Sequence, residues 1–409
     1  MKKHYYLGLN AKLRHGWRHL LTRGRQSDVE ALSSYLGQKY GGKAVLTKNG
    51  RSALAIALKA YFTRGDGIIV NGFTCYAVIE AVRAAGLVPI YADINRETLN
   101  YDAKTLDKLW AGPAAASSPT PAGAGVPQAA SPAHAGSTQA VPAHAGSTQA
   151  TPIISGIIIQ NTLGNPVDIK AVERFAGKHG LMIIEDLAHC AGIKYADGRE
   201  AGTIGAASVL SFGKDKSIDT ISGGAVVLRY PCKTTIRAPK KLPKMSDRIR
   251  GRIYPLIAGA VRGLSYVHLG GLCMRVALKL HLVEKSADNK LELDKTLTPA
   301  EAKLALRQLK ALNTSGEAPL REFYLVDDRA LVLDKLKRAG YHFAGFWYET
   351  PIAPERYYKK ADFDESKCPV AAEVARQIIN FPTYYTRSDL AEARKIVQKH
   401  LTYGGKNAR

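Results

Sequence analysis

Four groups of residues in this chain have types and spacing that could do chemistry together. Asp186 closes the apolar run LMIIED, and His189 follows three residues later. A carboxylate at a strand's end can hold a protonated ring nitrogen, a ribose hydroxyl or a metal, or simply cap a helix. In SFGKDKSIDTISGG (211–224), Ser211 leaves a strand, Lys216 lies on the following loop, and Gly223-Gly224 re-enter a strand. A lysine in a partly desolvated pocket has a lowered pKa and can form a Schiff base with an aldehyde. Lys214 has the same chemistry in principle. NGRSALAIAL (49–58) is a turn at Gly50 running directly into a helix. That helix start would offer the N–H groups of Arg51 and Ser52 to a phosphate, and the Arg51 side chain a charge-assisted contact. Phe73, Tyr76 and Asn161 follow other strands and could stack on or hydrogen-bond a ring.

A phosphate cradle, a strand-end Asp, a Ser and a loop Lys, in that order, are the parts an enzyme using pyridoxal phosphate needs. The Asp keeps the pyridine nitrogen protonated, and the Lys holds the cofactor's aldehyde and then serves as acid and base. No metal site is expected. The five cysteines (75, 190, 232, 273, 368) are scattered and never in CxxC spacing, which fits a reducing, cytoplasmic setting.

Positioning these groups requires alternating helices and strands. Helical patterns run over 52–62, 76–86 and 167–180, and apolar strand patterns over 67–73, 88–94, 156–162, 181–187, 207–213 and 223–229. Such short apolar runs separated by helices mark a mainly parallel sheet covered on both faces, with ligands at the strands' carboxyl ends. Within this domain, 111–152 is built from small and polar residues without a charge or an aromatic. It holds the tandem decapeptides PAHAGSTQAV and PAHAGSTQAT, in which His134 and His144 recur. It has too little apolar bulk to offset its ordering entropy and reads as a disordered insertion. Further on, 298–312, 320–340 and 389–401 read as amphipathic helices around a short α/β stretch containing FWYETPIAP (346–354) and the segment 368–385.

The expected organisation is a basic N-terminal segment (1–30), a large α/β domain (31–230) interrupted by the insertion, a basic and apolar helical linker (231–297), and a small C-terminal α/β domain (298–409). The net charge is +23; residues 1–27 carry seven Lys or Arg and no acid, and residues 231–290 carry thirteen with three acids. Such patches attract polyanions. No helix-turn-helix, zinc-finger or RNP signature accompanies them, so nucleic acid is not the expected partner. The stretch 245–284 mixes apolar residues with Arg262, Arg275 and Lys279, which suits a buried helix or a contact on a membrane surface rather than a span.

At these residues the sequence resembles the DegT/DnrJ/EryC1/StrS family of fold-type I pyridoxal phosphate-dependent sugar aminotransferases. IIEDLAHCAG resembles the family's ED-x-A-[QH]-x-x-G segment, implying Asp186 at the pyridinium and His189 beside the ring. SFGKDK resembles SF-x-x-x-K, implying Ser211 at the phosphate and Lys216, not Lys214, as the Schiff-base lysine. GLVPIYADI and CPVAAEVARQIINFP resemble two further family segments, and Asn161 takes the place of the histidine of H-x-x-G. The chain departs from the pattern in three places. The phosphate turn SGT reads Asn49-Gly50-Arg51, Cys75 stands where Phe or Trp normally stacks, and the GYNYRM segment of the second subunit is not recognisable.

The resemblance implies a fold-type I architecture: a seven-stranded, mainly parallel sheet between helices, with a smaller C-terminal α/β domain. The implied cofactor is pyridoxal phosphate, held by Gly50, Arg51, Ser52, Tyr76, Asn161, Asp186, His189 and Ser211 around Lys216. The implied reaction moves an amino group from glutamate or glutamine to a keto sugar, nucleotide-linked, in glycan or polysaccharide biosynthesis. A cytoplasmic homodimer is expected, with peripheral contact at the inner face of an anionic membrane. The rival reading is an inactive family member that binds glycan intermediates or an anionic membrane through 231–290. A nicotinamide-dependent oxidoreductase is disfavoured because no GxGxxG follows the first strand. Lys216 also argues against the sugar dehydratases of the family, which carry His there.

Overall fold

The computed structural model describes residues 20–111, 151–214, 216–265, 267, 269–283, 290–312, 320–341, 347–383 and 387–404. Apart from its ends, the insertion expected at 111–152 lies outside them, as do residues 1–19 of the basic N-terminal segment. The first half runs α1 (Gln26–Tyr40), β1 (Lys43–Thr47), α2 (Gly50–Tyr61), β2 (Gly67–Asn71), β3 (Thr74–Cys75), α3 (Tyr76–Ala84), β4 (Val88–Ala92) and α4 (Ala103–Trp110). Then come β5 (Ile154–Ile159), α5 (Ile169–His179), β6 (Met182–Asp186), β7 (Ala207–Ser211) and β8 (Gly224–Leu228).

Seven of these strands form one sheet in the order β1-β8-β7-β6-β5-β2-β4. The five from β4 to β7 are parallel, and β8 and β1 close one edge antiparallel. Successive residues of a strand face opposite sides, so a sheet covered twice must be apolar at every position. This one is: Ile69, Ile157 and Ile159 pack into one buried cluster with α1 and α5, while Ile68, Val70 and Ile158 pack into a second with α2 and α3. Chain progression reverses beside β2, whose neighbours are β4 and β5, and crevices for ligands form where such a reversal occurs.

The remainder comprises α6 (Met245–Ser265), α7 (Gly270–Lys279), α8 (Pro299–Leu312), β9 (Arg321–Val326), α9 (Arg329–Arg338), β10 (Ile352–Ala353) and α10 (Glu355–Tyr358). It ends with α11 (Pro369–Gln377), β11 (Ile378–Pro382), α12 (Arg387–Gln398) and β12 (Leu401–Gly404). The helix expected over 320–340 is instead a strand followed by a helix. REFYLV is the middle strand of the antiparallel sheet β11-β9-β12, and all six of its residues are buried. Asp328 then caps α9, its carboxylate accepting from the Leu331 N–H at 2.9 Å. A separate two-stranded pair links the C-terminal part to the segment just after β2: β10 runs parallel with β3, Ile352 opposite Thr74 and Ala353 opposite Cys75.

Candidate active site

A cavity of about 470 Å³ opens at the carboxyl ends of β5, β6 and β7. It is lined by Asp186, His189, Ser211, Lys216, Gly50 and Arg51 among the expected residues, and by Gln160, Trp347, Tyr348 and Glu349 besides. The two carboxylates of the ED pair face opposite ways, as strand alternation requires. Glu185 turns into the fold, where its carboxylate accepts from the N–H groups of Gly202, Ile204 and Gly205 at 2.7, 2.8 and 2.7 Å. Asp186 turns toward the cavity and accepts one backbone bond, from Ala188 at 2.9 Å. Burial raises its pKa, while the Ala188 N–H and the charge of Lys216 oppose that rise.

His189 is held between two partners. Its Nδ1 accepts the Leu163 N–H at 3.2 Å, and its Nε2 lies 3.4 Å from the Tyr348 hydroxyl. An accepting Nδ1 leaves the proton on Nε2, so that nitrogen donates to Tyr348. Burial, then the positive charges of Lys216 and Arg321, push its pKa well below 6.5 and keep the ring neutral. The Leu163 N–H is aimed by a turn in which Asn161 and Leu163 both adopt left-handed backbone, at φ +50° and +55°.

The two loop lysines diverge. Both line the cavity, but the Lys214 ammonium sits 4.0 Å above the Tyr254 ring of α6, whereas Lys216 Nζ lies 5.3 Å from the centre of the Trp347 ring. Ser211 stands against the start of α2: a Cβ on Gly50 would come within 2.6 Å of Ser211 Cβ and 2.9 Å of its Oγ. Glycine at position 50 is therefore what lets the helix terminus and this hydroxyl share one end of the cavity. The Arg51 guanidinium pairs with Glu80 of α3.

Four candidate residues do not line the cavity. Ser52 is fully buried; its N–H is taken by the Asn49 side chain at 2.8 Å and its hydroxyl accepts from the Glu292 N–H at 3.1 Å. An anion at this terminus must therefore be met by Gly50 and Arg51, ahead of the capped N–H. Tyr76 turns outward and stacks on Tyr357, with ring centres 4.9 Å apart. Asn161 is a buried strut behind the site. It donates to the Tyr195 hydroxyl at 3.2 Å and Cys190 Sγ at 3.4 Å, and accepts from the Val167 N–H at 2.9 Å. Phe73 is likewise one layer back, edge-on to Tyr348 at 5.4 Å.

The aromatic walls come instead from Trp347 and Tyr348, delivered by the β3–β10 pairing. The Asn380 amide of β11 donates to the Trp347 carbonyl at 2.8 Å, and the Arg321 guanidinium of β9 lies 4.2 Å over the Trp347 ring. Both residues sit in FWYETPIAP, whose paired aromatics were the one sequence signal available. The donor set suits pyridoxal phosphate. A buried carboxylate whose pKa rises on desolvation calls for a cationic partner, and a protonated ring nitrogen is one. A lysine, a helix start with a hydroxyl beside it, and flat aromatic walls complete the requirements within a cavity of small-molecule size.

Comparisons with known proteins establish the family and the fold. The sequence pattern of the DegT/DnrJ/EryC1/StrS aminotransferase family matches residues 7–112 and 137–238, just over half of the chain. A UDP-2-acetamido-2-deoxy-3-oxo-D-glucuronate aminotransferase of Pseudomonas aeruginosa is 23% identical over 92% of this chain and 90% of its own length. A pleiotropic regulatory protein of Geobacillus stearothermophilus is 26% identical over 58% of this chain and 54% of its own length. A GDP-perosamine synthase of Vibrio cholerae is 25% identical over 54% and 48%. The chain thus spans about half the length of the latter two. Among solved structures, a DegT DnrJ EryC1 StrS aminotransferase from Brucella abortus superposes with a TM-score of 0.60 at 17% identity, covering 96% of this chain and 95% of that one. An E. coli GDP-4-keto-6-deoxy-D-mannose-3-dehydratase with bound hydrated pyridoxal phosphate superposes with a TM-score of 0.59 at 15% identity, covering 97% and 100%.

Proposed function

The chain belongs to the DegT/DnrJ/EryC1/StrS aminotransferase family, and on that premise we propose that it moves an amino group from glutamate or glutamine to a nucleotide-linked keto sugar, using pyridoxal phosphate. The observation that carries this reading is the divergence of the loop lysines. Lys216 shares the cavity with Asp186 and His189 and acts electrostatically on both, while the Tyr254 ring takes up Lys214.

Pyridoxal phosphate supplies an aldehyde for an amine and a protonated ring that draws electrons from the carbon beside the transferred nitrogen. Asp186 holds the proton on the ring nitrogen by presenting a desolvated carboxylate to it. Lys216 Nζ holds the aldehyde end and, as a free amine, carries a proton to and from the substrate carbon. Gly50, Arg51 and Ser211 take the phosphate at the start of α2. His189, kept neutral and oriented by Leu163 and Tyr348, gives the site a polar edge without a second positive charge. Trp347 and Tyr348 wall the cavity beside the lysine.

Two relatives, one acting on a UDP-sugar and one named for a GDP-sugar product, support a nucleotide-linked acceptor. The test is steady-state kinetics with glutamate or glutamine and a panel of UDP- and GDP-linked keto sugars. Parallel double-reciprocal lines and a donor-only half-reaction in the cofactor spectrum are the expected result. No amine transfer from any donor, with cofactor bound, would overturn the reading.

A further inference from the structure

Outside the cavity, the helical hairpin α6–α7 follows a rule of its own. One side of α6 buries Tyr254, Ala258 and Val261, and Tyr254 and Ala258 cluster with Ala277 of α7 and with Ile221 and Val283. The opposite side of α6 exposes Met245, Ile249, Arg252, Leu256, Ala260 and Leu264, a continuous stripe at helical spacing. On α7 the exposed residues include Leu272, Arg275, Val276 and Lys279, followed by Leu280 at its C-terminal cap, with Val267 and Leu269 exposed at the connection. These apolar side chains are far out in solvent: Ile249 and Leu272 are each 52% exposed and Leu280 61%. A surface helix that buries one face ordinarily presents a polar face to water, and this hairpin presents apolar residues interleaved with cations.

The charge pattern names the occupant. Arg252, Arg275 and Lys279 sit within the exposed set and make no ion pair among the described residues. The single acid of the two helices, Asp247, is turned inward to Lys48 at 3.1 Å and to Arg250 at 2.6 Å. A second copy packed hairpin against hairpin would press three cations against three more, with no hairpin acid to meet them. An anionic surface satisfies both the cations and the apolar stripe. No helix among the described residues is long and apolar enough to cross a membrane, so the contact is one of lying on the surface.

We propose that the outer face of the α6–α7 hairpin docks on an anionic lipid bilayer, with Leu256, Leu272, Val276 and Leu280 entering the interface and Arg252, Arg275 and Lys279 meeting lipid phosphates. The proposal stands independently of the aminotransferase reading. It places the cavity beside the bilayer, since Tyr254 on the inner side of α6 holds Lys214 of the cavity wall.

The test is co-sedimentation of the full chain with phosphatidylcholine vesicles, with and without about 30% phosphatidylglycerol, near physiological salt. Binding to the anionic vesicles and none to the neutral ones is expected. Each cation removed should weaken binding about fivefold, so R252A/R275A/K279A loses about a hundredfold. V276D/L280D, which alters only exposed side chains, should also abolish pelleting. Absence of binding by the unaltered chain would overturn the proposal, as would binding that both variants retain. Sedimentation velocity distinguishes the other occupant: a dimer split by V276D/L280D, without vesicle binding, assigns the face to a second copy.

Discussion

Asn161→Ala separates a strut from a cofactor contact. The side chain is fully buried and makes three hydrogen bonds, none toward the cavity. Truncation leaves Tyr195 its bond to Glu185 at 3.0 Å and Cys190 its contact with the Asp186 carbonyl at 3.7 Å. It strands one group, the buried Val167 N–H, at a cost of about 1–3 kcal/mol. Alanine at a φ of +50° adds a backbone penalty that asparagine tolerates better, about 1 kcal/mol. The expected loss is therefore about 2–4 kcal/mol, read as a shift of the urea unfolding midpoint at unchanged slope. Asn161→Gly relieves the backbone penalty but loosens the unfolded chain, and should stand about 0.5–1 kcal/mol above the alanine variant. Cofactor titration should weaken with both, because the same turn aims the Leu163 N–H at His189, yet the lysine adduct should persist. An alanine variant within about 0.5 kcal/mol of the parent that nonetheless fails to bind cofactor would refute the strut and make Asn161 a direct contact.

Two further substitutions test neighbouring parts. Gly50→Ala drives a methyl to 2.6 Å from Ser211 Cβ, so it should destabilise by about 1–3 kcal/mol and weaken pyridoxal phosphate in a fluorescence titration. Asp186→Asn should abolish transamination while stabilising the cofactor-free protein near neutral pH, because the folded pKa of Asp186 is raised by burial. The folded state keeps this proton after the unfolded chain has lost it. The parent-minus-variant stability should accordingly fall as pH rises from about 3.8 through the raised value, and a flat difference would contradict the assignment.

The sheet was legible because its strands are short, wholly apolar and separated by helices; the observed β2, β4, β6, β7 and β8 lie inside the expected runs, and β5 begins two residues before its run, at Ile154. β1 went unread because KAVLT is a brief edge strand that borrows its register from β8. The helix expected over 320–340 failed for a related reason. Arg321 and Glu322 look like solvent-facing helix residues until Asn380 and Arg394 are found beside them, at 3.1 and 2.6 Å. At the site, the residues on strand ends and their loops (Asp186, His189, Ser211, Lys216) and the turn residues Gly50 and Arg51 reach the cavity. Ser52, Tyr76 and Asn161 do not, because a cap, an outward ring stack and an inward hydrogen-bond set claim them. Trp347 and Tyr348 arrive through a strand pairing that joins residues about 280 positions apart, Thr74 with Ile352, which no local periodicity records.

The proposed chemistry requires that Lys216 be the residue joined to the cofactor. Its most direct test is borohydride reduction of the protein loaded with pyridoxal phosphate, followed by peptide mapping, on the parent and on Lys216→Ala. A visible absorbance band that reduction bleaches, a phosphopyridoxyl group on Lys216, and no adduct in the variant are expected. A reduced adduct on Lys214, or a protein that stays colourless with added cofactor, would contradict it.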